Sequence, residues 1–199
     1  NKAALQHEMG LPADSDAPLF CVVSRLTEQK GIELIAIAAA SLHKLGIQLA
    51  VLGSGDRHLE ERLSTIATSD PGITVKIGYD DALAHRIIAG GDVLLMPSQF
   101  EPCGLTQMYA MRYGTLPLVF KTGGLADTVV DCTAVEDGTG FVFDTASADA
   151  LVETAARAVT LYRRTKSWQK AQRNAMNRDM SWQHAAPAYI RLYKDIAAT

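Results

Sequence analysis

Six short apolar runs recur along the chain, and helix-length amphipathic stretches separate the first five. The runs are Leu19–Val23, residues 47–52, Ile73–Ile77, Val93–Met96, Leu116–Phe120 and Phe141–Phe143. They are rich in Val, Ile, Leu and Phe and lack clean alternation, as parallel strands buried on both faces do. The intervening stretches, residues 32–45, 57–67, 80–89 and 105–113, carry helical patterning. Strand and helix alternating at this pace predict right-handed βαβ units and an open, doubly wound parallel sheet. The pattern changes after residue 146. Residues 148–161, 165–178 and Trp182–Ala197 read as helices, with Ser147 and Ser181 as N-caps. The expectation is an α/β chain with a Rossmann-like core over residues 1–146 and a helical tail over 147–199. Trp182, Tyr189 and Tyr193 in the last helix are read either as core or as cover for a neighbour.

Composition narrows the function classes. A chain of 199 residues can hold one large α/β domain. Its net charge of -3 gives no basic face for nucleic acid. No apolar stretch reaches the roughly 20 residues that a membrane helix needs, so no membrane partner is expected. Asn1-Lys2-Ala3-Ala4-Leu5 lacks the apolar core of a signal peptide, and the absence of an initiating Met reads as an excerpt from a longer chain. Cys21, Cys103 and Cys132 are scattered and odd in number, which points to a reducing cytosol. His7, His43, His58, His85 and His184 show no metal-ligand spacing, so neither a metal nor a cofactor is expected.

In an open parallel sheet the ligand sits at the carboxyl ends of the strands. The loops there hold most of the chemically unusual residues. Arg25 and Lys30 lie five residues apart between the first strand and its helix. An Arg fork and a Lys point charge suit a diphosphate, whereas two ordinary solvated charges are the plainer alternative. Gly53 and Gly55 follow the second strand without a third glycine. They make a weak dinucleotide fingerprint, and read as a tight turn or as a place where backbone approaches a ligand. The segment Glu101-Pro102-Cys103-Gly104-Leu105-Thr106-Gln107 opens a helix whose first amides attract anions. Glu101 is placed to accept hydroxyl hydrogen bonds from a sugar, or simply to cap that helix. Lys121-Thr122-Gly123-Gly124-Leu125 reads as a turn whose backbone amides close around a ligand, or as a plain turn.

At these loops the chain resembles the bacterial glycogen synthase and plant starch synthase family. The resemblance rests on Ser24-Arg25-Leu26-Thr27-Glu28-Gln29-Lys30-Gly31, on Glu101 to Gln107, and on Thr122-Gly123-Gly124-Leu125-Ala126-Asp127-Thr128-Val129, and it runs on to Ser181-Trp182. It implies the second half of a GT-B glycosyltransferase, two Rossmann-like domains facing across a cleft. It implies metal-free transfer of glucose from ADP-glucose to the non-reducing end of an α-1,4-glucan, with retention, in a bacterial cytoplasm. The acceptor site would lie largely on the absent first domain. Arg25 and Lys30 would hold the diphosphate and Tyr79 the adenine. Glu101, with the backbone of Cys103 and Gly104, would hold the glucose hydroxyls, and Leu105 and Thr106 would face the distal phosphate. Tyr109 stands where many retaining relatives carry a second Glu, and this separates the chain from the sucrose-synthase-like and mannosyltransferase-like groups.

Three alternatives stay open at this level. One is a nucleotide-binding module without catalysis. Another is a related GT-B enzyme that uses UDP-glucose. The third is an NAD-dependent dehydrogenase domain, although the full glycine fingerprint is missing.

Overall fold

The computed structural model describes residues 1–198. Thr199, the last residue of the expected tail, lies outside the described residues. The strands are β1 (Leu19–Val23), β2 (Gln48–Gly53), β3 (Ile73–Ile77), β4 (Val93–Met96), β5 (Leu116–Phe120) and β6 (Phe141–Phe143). They form one parallel sheet in the order β3-β2-β1-β4-β5-β6. The chain reverses its direction of travel across the sheet between β1 and β4, and a crevice opens outside the strand ends there.

The helices are α1 (Lys2–Met9), α2 (Ile32–Lys44), α3 (Arg57–Ser69), α4 (Asp81–Gly90), α5 (Thr106–Tyr113), α6 (Gly123–Thr128), α7 (Ala148–Tyr162), α8 (Thr165–Asn177) and α9 (Trp182–Ala197). A short 3-10 turn, Glu28–Lys30, precedes α2. Period-two geometry explains why the central strands read as largely apolar runs. Phe20 and Val22 of β1, Leu49 and Val51 of β2, and Val93 and Leu95 of β4 join a core beneath α2, α3, α7 and α8. Leu19 and Cys21, Ala50 and Leu52, and Leu94 face the opposite way, into a second core with α1 and α4. The central strands are apolar on both faces because each face is covered by helices, whereas the edge strand β3 carries Thr74 and Lys76 and is exposed toward its end.

The expected helical tail divides. Leu151, Ala155, Ala158, Trp168, Ala171 and Ala175 of α7 and α8 are buried in the first core cluster. α9 buries no residue, and Trp182, Tyr189 and Tyr193 are 74%, 51% and 66% exposed. Ser147 caps α7 as expected, accepting from the Ala150 amide. Ser181 stands at the N-cap position of α9 but its hydroxyl makes no cap bond; its own amide instead donates to Asp179. Two short helices escape the sequence pattern. They are α1, of eight residues, and α6, of six, which opens on two glycines.

The outer edge of β6 is closed by side chains. The Val142 amide donates to Asp131 Oδ2 at 2.8 Å, and Arg157 Nη2 donates to the Val142 carbonyl at 2.8 Å. Arg157 and Asp131 pair at 3.0 Å. The outward backbone groups of Val142 are thus occupied without a seventh strand, which blunts an edge that otherwise invites pairing. Burial pushes the Asp131 carboxyl up, but hydrogen bonds from Thr133, the Val142 amide and Arg157 outweigh it and hold the group below its ordinary value. A depressed folded value means that Asp131 contributes stability above the unfolded-state value near 3.8 and loses it as pH falls through the folded value. Asp131→Asn is therefore expected to cost about 1–3 kcal/mol at pH 7. The deficit should shrink as pH drops below 4. Urea unfolding of both proteins between pH 7 and pH 3 checks this, and a deficit that does not change with pH would contradict the assignment.

Candidate functional site

Three loops meet at the crevice between β1 and β4, and backbone contacts set their spacing. The loop after β1 zips to the loop after β2. The Leu26 amide donates to Ser54 at 2.9 Å, the Asp56 amide donates to Leu26 at 2.8 Å, and Leu26 bridges Gly55. A Cβ on Gly53 would lie 2.0 Å from the Ser24 carbonyl, and one on Gly55 would lie 2.4 Å from that of Leu26. Loop packing accounts for the glycine at both positions, as the tight-turn reading expects, and Gly53 also lines one of the hollows described below. On its other side the β1 loop presses on the loop after β4. The Gln99 amide donates to Gln29 at 2.9 Å. Gly31, at φ 68°, has no room for a Cβ, which would stand 2.0 Å from the Pro97 carbonyl.

The third loop, Glu101 to Leu105, rests on the start of α6. The Gly124 amide donates to the Glu101 carbonyl at 2.9 Å, and a Cβ on Gly124 would meet the Cys103 carbonyl at 2.2 Å. The turn expected at Gly123-Gly124 is thus a docking point between two loops, and the Gly124 amide is already committed. Gln107, fully buried in the first turn of α5, ties the assembly together. Its Nε2 donates to the carbonyls of Cys103 (3.0 Å) and Gly104 (2.9 Å) and reaches Thr128 Oγ1 at 3.3 Å. Thr128 in turn donates to the Gly124 carbonyl at 2.6 Å. The sequence reading gave Gln107 no role. A polar side chain at an inward helix position beside a glycine loop was the signal.

Two hollows adjoin within this frame, and both are lined by Val23, Ser24 and Arg25. One, of about 190 Å³, lies beside Leu52, Gly53, Ser54 and Ala84, with Tyr79 at its rim. Its walls are largely apolar, and Tyr79 is 88% exposed. The other, of about 220 Å³, is lined by Lys30, Ser98 and Thr106. Thr106 is the first residue of α5, whose amino end has no side-chain cap. Unpaired helix amides therefore open on a hollow that already holds a lysine and is bordered by an arginine, a setting suited to anions. Roomier hollows of about 640 and 660 Å³ lie beside β6 and β3, away from the crossover.

Lys30 and Glu101 join the loops after β1 and β4. Lys30 Nζ lies 2.5 Å from Glu101 Oε2, and the two side chains are only 18% and 11% exposed. This removes two plainer alternatives. Lys30 is not an ordinary solvated charge, and Glu101 does not cap α5, because its carboxylate is held by the lysine. Arg25 is exposed, and among the described residues no carboxylate pairs with it. Cys103, Gly104 and Leu105 form the loop between Glu101 and Thr106. Cys103 is exposed and Leu105 is 56% exposed. Gly104 takes φ 74°, which lets the chain turn into the helix without a side-chain clash. Tyr109 lines neither hollow; its ring packs 6.0 Å from that of His85. Burial pushes the Cys132 thiol up to about 12 and raises that of Cys21 as well, so neither is a thiolate at neutral pH.

The sequence matches the glycosyl transferases group 1 family over residues 7–175. The chain belongs to that family. It is 54% identical over 199 residues to the glycogen synthase of Yersinia enterocolitica, covering 98% of this chain and 42% of that protein. It is 50% identical over 201 residues to the glycogen synthase of Leptothrix cholodnii, covering 99% of this chain and 41% of the relative. Among solved structures, it superimposes on the catalytic domain of starch synthase IV from Arabidopsis thaliana, bound to ADP and acarbose. The TM-score is 0.87 at 36% identity, over 100% of this chain and 42% of the other. This group 1 glycosyltransferase chain thus spans about two fifths of the length of these relatives. The expected family resemblance and the α/β GT-B fold both stand.

Proposed function

We propose that this chain is the donor-binding, C-terminal half of an ADP-glucose-dependent glucan synthase, and that a further domain supplies most of the acceptor site. The observation that carries the reading is the pair of adjoining hollows, one apolar and one cationic, that share Arg25 at the sheet crossover. A nucleoside diphosphate needs that order: a stacking surface for its base, then cations for its phosphates. Tyr79 is assigned to the base, Arg25 and Lys30 to the diphosphate, and Glu101 with the Cys103–Gly104 backbone to the glucose hydroxyls. Leu105 and Thr106 bring the amino end of α5 to the distal phosphate. ADP in the starch synthase IV relative supports the choice of nucleotide.

In the proposed reaction the bond from the anomeric carbon to the phosphate oxygen breaks, and its electron pair leaves with ADP. The glucan 4-hydroxyl oxygen bonds to that carbon on the same face, and its proton passes to the departing phosphate. Negative charge grows where Arg25, Lys30 and the helix end lie, and fixed donors at such a point stabilise the transition state more than the ground state.

Titration calorimetry with ADP, AMP and NAD tests the reading. ADP should bind weakly and NAD hardly at all, and NAD binding as tight as that of ADP would sink it. Arg25→Ala and Lys30→Ala should each weaken ADP more than AMP, and the loss should lessen as salt rises. Equal losses for AMP and ADP would remove this loop from the outer phosphate.

A further inference from the structure

The Lys30–Glu101 ion pair joins two groups that the proposed function sends to different parts of one ligand. Lys30 is assigned to the diphosphate and Glu101 to the sugar, yet in this structure each is the other's partner. The pair is also shielded, because both side chains are less than one fifth exposed. A shielded ion pair at hydrogen-bonding distance holds its members more strongly than a surface pair does. The two residues come from separate loops, and those loops are locked by the Gly31–Pro97 and Gln29–Gln99 backbone contacts. The pair therefore cannot be relieved by letting the loops drift apart. It yields through rotation of one of the two side chains.

We infer that Glu101 is an internal competitor of the nucleotide for Lys30, so that the pair makes the site discriminate between sugar nucleotide and bare nucleoside diphosphate. The inference rests on the proposed function and deepens it. A bare diphosphate that draws Lys30 into the cationic hollow leaves the Glu101 carboxylate shielded from water and without its cation. Such a group is costly to leave unpaired. A donor that carries a sugar supplies hydroxyls in place of the lysine, and the carboxylate stays satisfied. Once the sugar has been transferred, the carboxylate again lacks a partner and pulls the lysine back, which favours release of the diphosphate. Glu101 thus opposes the product and tolerates the donor.

The test is a thermodynamic cycle on the 199-residue chain with ADP as the probe. Titration calorimetry is run on the parent, Glu101→Gln, Lys30→Met and the double variant, each checked for folding by circular dichroism. Glu101→Gln keeps the shape and removes the charge, so it should tighten ADP by roughly three- to tenfold. In the Lys30→Met background the same change should give much less, because the cation under competition is gone. Glu101→Ala should tighten ADP in the same direction, and serves if the Gln variant does not fold. ADP binding that is unchanged or weakened by Glu101→Gln would overturn the inference while leaving the nucleotide site in place. Equal tightening with and without Lys30 would also overturn it, because simple repulsion between carboxylate and phosphate would then suffice. Absence of ADP binding in every variant would overturn the proposed function and this inference with it.

Discussion

Residues 1–199 alone are expected to transfer no measurable glucose from ADP-glucose to a glucan. The two hollows lie on the open edge of the sheet, and Tyr79 at the rim is 88% exposed. Holding an acceptor hydroxyl in line with a reacting carbon is worth about 7–11 kcal/mol when the geometry is right. A site with one wall neither holds a glucan there nor excludes water. The relatives are more than twice as long, with 41–42% of their length matched, so a second wall has room in the remainder. The exposed face of α9 fits the same account. Trp182, Ile190, Leu192, Tyr193 and Ile196 are each more than half exposed, and a patch of that kind marks a surface that buries against something. A radiolabelled transfer assay checks the first point. Vigorous transfer by the purified chain would overturn the two-domain requirement. Hydrogen exchange along α9 checks the second: rapid exchange is expected in the monomer, and full protection would show a packed helix.

Glu101→Gln in the longer enzyme should lower turnover on the order of 10²- to 10³-fold, the usual cost of losing one fixed polar contact to a reacting group. The change removes charge from a group assigned to the sugar and leaves the base and phosphate contacts intact. The loss should therefore fall on kcat, while affinity for ADP is preserved or improved. The direction of the ADP effect separates this account from a general collapse of the loop, which would weaken ADP as well. Steady-state kinetics with ADP-glucose, alongside ADP inhibition constants, measure both. Near-normal turnover would take Glu101 out of the sugar subsite.

The sequence by itself determined the sheet. Runs such as Leu19–Val23 and residues 49–52 are apolar at every position because helices cover both faces, and the number and spacing of such runs leave a doubly wound arrangement as the consistent answer. It also placed Arg25, Lys30, Glu101 and Thr106 at strand ends, because a strand followed by a loop and a helix puts that loop at the carboxyl edge. Tertiary structure decided the rest. The Lys30–Glu101 pair joins residues 71 positions apart, and no local pattern encodes such a meeting. The same holds for Gly53, Gly55 and Gly124, whose missing side chains are filled by carbonyls of other loops. Gln107 looked like one more helix residue until the 103–104 carbonyls and Thr128 closed around it. The helical tail carried one uniform pattern, yet α7 and α8 bury their apolar faces in the core and α9 buries none. Amphipathic period states that a helix has a face to cover. What covers that face depends on which surfaces the folded chain brings within reach.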